Sequence, residues 1–179
     1  MTSSVWDTIA GDAAHESPLW AAALRRPEDR ELVPIFSPLG HESFALVTES
    51  IYEGYLLHYG RPRLFAPPDA DTAVLLGDYL YAHGLVRLAE LHDVTAVADF
   101  AELISLCTQA RAEGRTSGQD GAAWAATAAL VGTSDGQLSR ARVALRRDGD
   151  PEPLHELAQA SAGREPVERA LRAHAGRVK

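Results

Sequence analysis

Strict alternation of apolar and polar residues is nearly absent from this chain; apolar residues recur instead at three- and four-residue intervals between prolines and glycines. That spacing lines one face of a helix and does not suit the two-residue period of a strand. Ala, Leu, Glu and Arg dominate, all good helix formers. The chain therefore reads as all-α, a helical bundle forming a single domain over residues 1–179, and its 46% hydrophobic residues are enough for a sizeable core.

Prolines and caps divide the bundle. Helical periodicity runs from Val5 to Arg26 with a break at Ser17-Pro18, because proline fits a helix start and not its interior. Pro27, Pro34 and Pro38 mark an irregular connection before a helix over Gly40 to His58 and the loop "GRPRLFAPPDAD". Asp71 is placed to cap a long helix from Thr72 to His92. Leu76, Tyr79, Leu80 and His83, continued by Leu88 and Leu91, give that helix an unbroken apolar side, which marks it as the central one. Asp93 can cap the next helix, where Val94, Val97, Ala101, Ile104 and Cys107 recur until "AEGRTSGQDG" breaks the pattern. Shorter helices are expected over Ala122–Val131, Gln137–Arg147, Pro153–Ala162 and Pro166–Ala175. Gly77 reads as a point of close helix packing, and Trp6, Trp20 and Trp124 as core or interface. His83 and His92 read as hydrogen-bonded structural histidines.

A net charge of -8 argues against nucleic acid as the main partner, since phosphate binding needs a basic face. No apolar run reaches the length of a membrane span, and no basic-then-apolar amino terminus marks a secretory signal, so the cytoplasm is the default compartment. A single cysteine, Cys107, cannot form an internal disulfide and reads as core. His155-Glu156 begins a zinc-helix pattern, but Gln159 stands where the second histidine would be. Ser37 and Ser43 near His41 lack a nucleophile elbow, and Gly132, Gly136 and Gly149 form no phosphate loop. Arg140, Arg142, Arg146 and Arg147 read as a solvated basic face.

The stretch "ESIYEGYLLHYGRP" raises a sharper possibility. Glu49 and Glu53 stand one helical turn apart and share a face, where two carboxylates can jointly hold a divalent cation. The plain alternative is two solvated acids.

The stretch "AVLLGDYLYAHGLVRLAEL", Ala73 to Leu91, resembles the helix that follows the first aspartate-rich motif of trans-polyprenyl diphosphate synthases. Moving back without a gap, Gly60-Arg61-Pro62 falls on that family's turn, and Glu49, Ser50 and Glu53 fall on its DDxxD aspartates. His58 and Tyr59 stand where the family has an arginine pair. The resemblance is strongest over residues 39–131 and implies the amino-terminal part of the isoprenoid synthase fold. In that family the aspartates hold magnesium ions that clamp an allylic diphosphate. Here the substrate-binding positions Glu49, Ser50, Glu53, His58, Tyr59 and Arg61 are vestigial, and no second DDxxD exists. Serine removes one charge, and histidine and tyrosine cannot reproduce bidentate arginine donors. No cofactor is expected, and magnesium only if Glu49 and Glu53 still bind it.

The resemblance thus implies a chain inactive by itself, a noncatalytic subunit that pairs with a catalytic prenyl synthase or with itself as a homodimer. Its truncated bundle should leave the core incomplete and the helices from Thr72 to His92 and Val94 to Arg111 as the interface, with Leu88 and Val97 as probes. The other class is an independent binder, or a divergent enzyme, that keeps a cavity for an isoprenoid or other apolar ligand.

Overall fold

A computed structural model describes residues 4–114, 117–133 and 136–178. The described residues form helices and loops without a strand: α1 (Val5–Glu16), α2 (Pro18–Ala23), α3 (Ala45–Tyr59), α4 (Ala70–Glu90), α5 (Val94–Ala112), α6 (Ser117–Leu130), α7 (Gln137–Asp148), α8 (Glu152–Ala162) and α9 (Arg164–Ala175). The all-α expectation holds. Of the expected break over Ala112–Gly121, residues 115 and 116 lie outside the described ones, and α6 begins within it.

Local chemistry explains most boundaries. Ser17 closes α1 and opens α2: its hydroxyl accepts the Leu19 N–H at 3.1 Å, with Pro18 next in line. Tight 3-10 turns over Ser37–Leu39 and Glu42–Phe44 delay the start of α3 beyond Gly40. Asp93 caps α5 as expected, but α4 is capped by Asp69 rather than Asp71, through the Thr72 N–H at 2.7 Å. Both aspartates suit a cap by type. Only the backbone decides, and Asp69 is the one held extended outside the helix.

The central helix is α3 rather than α4. Every residue from Val47 to Leu57 is buried, whereas α4 keeps Val74, Leu75 and Val86 exposed. A helix enclosed on all sides has no stripe to detect, and its polar residues Thr48, Glu49, Ser50 and Glu53 disguise it as a surface element. The second enclosed helix is α6, buried from Ala122 to Ala128, with Trp124 against Phe36, Tyr52 and Tyr55. On α5 the buried stripe is Ala96, Phe100, Leu103, Leu106, Cys107 and Ala110, while Val94 is 81% exposed. Cys107 is core, as expected.

The expectation of an incomplete core is corrected. Leu138 and Leu145 of α7, Leu154 and Ala158 of α8, and Val167 and Ala170 of α9 join the cluster around α3 and α6. A second apolar cluster brings Trp6, Ile9 and Ala13 of α1 against Leu57, Leu64, Phe65, Leu76 and Leu80. Trp6 and Trp124 are core; Trp20 is half-buried against Tyr79. Arg142 is also not solvated: its guanidinium reaches Asp99 Oδ1 at 3.1 Å and Thr127 Oγ1 at 2.9 Å inside the bundle. Arg146 pairs with Glu102, and only Arg140 and Arg147 of the basic run are exposed. His83 bonds Tyr79 and Arg87, while His92 is an exposed turn residue at φ 56°. No helix among the described residues is long and apolar enough to cross a membrane.

Glycines let α3 and α4 approach. A Cβ on Gly54 would lie 2.9 Å from the Gly77 carbonyl oxygen, and one on Gly84 would lie 2.6 Å from Ile51 Cγ1. Gly54→Ala meets backbone that cannot rotate aside, so a loss of about 1–3 kcal/mol is expected in urea denaturation. An unchanged midpoint would show that the two helices separate freely.

Candidate functional site

The acidic motif is inside the protein. Glu49 and Glu53 are 1% and 0% exposed, on the side of α3 that faces the loop preceding α4. That loop returns Arg63, itself fully buried, between them. Its Nη1 lies 2.5 Å from Glu49 Oε2 and its Nε 3.0 Å from Glu53 Oε2. Nη1 also donates to the Val33 carbonyl at 3.1 Å. The remaining carboxylate oxygens are taken as well: Glu53 Oε1 accepts the Arg63 and Leu64 N–H groups, each at 2.7 Å, and Glu49 Oε1 accepts the Ser37 hydroxyl at 2.5 Å. Trp6 and Tyr52 place their rings 4.6 and 5.0 Å from the guanidinium carbon.

A guanidinium with oxygen partners and aromatic faces is a satisfied buried cation. Burial alone would lower the Arg63 pKa, but the carboxylates of Glu49 and Glu53 outweigh it and raise it above the ordinary value. The two glutamates do share a face and do hold a cation. The cation is the chain's own.

The other motif positions are dispersed. Ser50 is buried toward Gly84 of α4. His58 and Tyr59, at the end of α3, line a cleft of about 520 Å³ with Thr108, Arg111 and Ala112 of α5. His58 Nε2 stands 3.2 Å from Asp78 Oδ1 without the alignment of a hydrogen bond, and its ring stacks on Tyr81 at 5.2 Å. Burial lowers the His58 pKa against the pull of Asp78, which favours the neutral imidazole. Arg61 is on the surface, 3.9 Å from Glu31. The structure thus gathers Glu49 and Glu53, and separately His58 and Tyr59.

Behind the cleft runs a buried polar chain that the sequence did not advertise. Arg111 Nε donates to Asp120 Oδ2 at 2.8 Å, and its Nη2 to the Tyr55 hydroxyl at 2.7 Å. Tyr55 in turn donates to Asp120. His174 Nε2 lies 3.4 Å from Asp120 Oδ1, and its Nδ1 3.0 Å from the Tyr52 hydroxyl. Burial pushes the Tyr52 and Tyr55 phenols far up, so both stay protonated donors. The one available signal was an aspartate at the head of the alanine-rich run "DGAAWAATAAL".

Among the described residues no group of three His, Cys, Asp or Glu side chains could hold a metal ion. His155 and Gln159 instead share Glu168, at 3.1 Å each. Comparison of the chain with protein-family models, with curated proteins and with solved structures gives no match.

Proposed function

We propose that the chain is a noncatalytic subunit of a trans-polyprenyl diphosphate synthase, modulating a catalytic partner in isoprenoid biosynthesis in the cytoplasm. The observation that carries the noncatalytic half is Arg63, fully buried between the carboxylates that would hold magnesium. Ionising an allylic diphosphate requires metal charge at the leaving group, and a hydrogen-bonded guanidinium beneath Trp6 offers a diphosphate none. The family half rests on the colinear resemblance of Glu49–Glu53, Gly60-Arg61-Pro62 and Ala73–Leu91. The exposed apolar residues Leu75, Val86, Leu91 and Val94 on α4 and at the α4–α5 corner support a partner surface, for a synthase or for a second copy. Leu88 is fully buried, so the suitable charge probes are Val86→Asp and Val94→Asp.

With isopentenyl and allylic diphosphates and magnesium, the pure protein is expected to show no elongation. Co-produced with the full-length synthase of its host, it is expected to co-purify and to shift the product chain lengths, and Val86→Asp with Val94→Asp should abolish both effects. Enzyme-like turnover by the pure protein, or an unaltered synthase, would overturn this reading. The cleft beside His58 and Arg111 favours a second one, an independent binder of an apolar small molecule.

A further inference from the structure

The cleft of about 520 Å³ between the end of α3 and α5 is lined by His58, Tyr59, Thr108, Arg111 and Ala112. Further rings back its wall. Tyr81 of α4 stacks on His58 with centroids 5.2 Å apart, and Tyr55 meets Tyr59 at 5.2 Å. The Arg111 guanidinium, another flat group, lies 5.6 Å from the Tyr59 centroid and 5.8 Å from that of Tyr55. A groove of about 480 Å³ between α7 and α8 is lined by no aromatic side chain, so the rings are particular to the first cleft.

These walls are fixed before any ligand arrives. A Cβ on Gly77 would lie 2.5 Å from His58 Nε2 and 2.8 Å from its Cδ2, so that edge of the imidazole is seated against α4 while Tyr81 covers one ring face. Arg111 is held by Asp120 at 2.8 Å and by the Tyr55 hydroxyl at 2.7 Å. A cleft whose side chains are already pinned loses little conformational entropy when it is filled. Thr108 and Ala112, by contrast, are exposed at its mouth.

Charge narrows the class of occupant. The Arg111 cation is matched by Asp120, burial favours the neutral form of His58, and Asp78 adds a carboxylate beside that imidazole. An anion therefore finds no surplus positive charge here, and a cation would face Arg111. Ring faces and a guanidinium plane stack on an aromatic ring, whereas an aliphatic chain against the same walls gains burial alone.

We infer that the cleft binds a small, uncharged, planar aromatic molecule, stacked against Tyr59 and Arg111 and entering past Thr108. The assignment builds on the reading of the chain as an independent binder of an apolar small molecule, and gives that ligand its chemical class.

Equilibrium dialysis of the full chain at neutral pH tests it with 2-naphthol, geraniol and naphthalene-2-sulfonate. Geraniol matches 2-naphthol in carbon count and in its hydroxyl but has no aromatic ring, and the sulfonate keeps the rings and adds a negative charge. Saturable binding of 2-naphthol is expected, about tenfold tighter than that of either of the others. Tyr59→Leu, which keeps the wall apolar but removes its ring, should weaken 2-naphthol by about three- to tenfold. Thr108→Trp, at an exposed position, fills the mouth and should abolish binding. No saturable binding of 2-naphthol, geraniol or the sulfonate binding as tightly, or binding indifferent to either substitution would each overturn the assignment. The wild-type chain separates the two levels: geraniol bound without 2-naphthol leaves an apolar binder of another class, and neither bound removes the apolar binder as well.

Discussion

Arg63→Ala is expected to cost about 3–5 kcal/mol, a large share of the stability of a domain of this size. The loss comes less from the missing arginine than from what stays behind: Glu49 and Glu53, both enclosed, without a counter-charge. Arg63→Lys should rescue little, because an ammonium cannot span Glu49, Glu53 and the Val33 carbonyl with the spread of a planar guanidinium. Neutralising the acids as well, with Glu49→Gln and Glu53→Gln alongside Arg63→Leu, should return a large share of the stability. Urea denaturation of the three variants decides it. A stability within about 1 kcal/mol of wild type for Arg63→Ala would mean that the acids are not sealed from water, and the noncatalytic half of the proposed function would lose its support.

The second large effect is expected at Asp120, again about 3–5 kcal/mol for Asp120→Ala, since Arg111, Tyr55 and His174 all lose their shared acceptor. The group also carries a pH signature. Burial pushes its carboxyl up, but the hydrogen bonds from His174 and Tyr55 and the charge of Arg111 prevail and hold it below the usual aspartate value. A depressed folded-state pKa contributes stability that is fully present above the unfolded value of 3.8 and is lost as the pH falls through the folded value. Wild type should therefore weaken on acidification below that point. Asp99 works in the opposite sense, because burial raises its pKa against the Gly132 N–H and Arg142. Asp120→Asn isolates the first contribution: it should flatten the acid limb of the stability curve. An identical acid limb in wild type and variant would show that Asp120 is not held ionised.

Helix content and most boundaries were legible because they depend on neighbours in sequence. Ser17-Pro18 breaks a helix wherever it occurs, Asp93 caps whatever helix begins at Val94, and an all-α bundle follows from three- and four-residue periodicity. Cys107 as core followed from the same spacing. Burial order was less legible. The amphipathic stripe of α4 was conspicuous because one of its sides remains in solvent, whereas α3 and α6 are enclosed and carry no stripe.

The candidate site depended almost wholly on contacts between residues distant in sequence. That Glu49 and Glu53 share a face follows from a spacing of one helical turn. Whether that face meets water, a metal ion or Arg63 does not, because the answer lies in a loop that folds back ten and more residues later, beneath a tryptophan from α1. Asp120 and His174 are still further apart, and neither has a local pattern that distinguishes it from a surface residue. The sequence by itself determined that this chain is a bundle of helices, where most of them start, and that two acids stand one turn apart on one of them. Only the tertiary structure decided which helices are enclosed and which cation those acids keep, because burial and charge pairing are set by what packs from elsewhere in the chain.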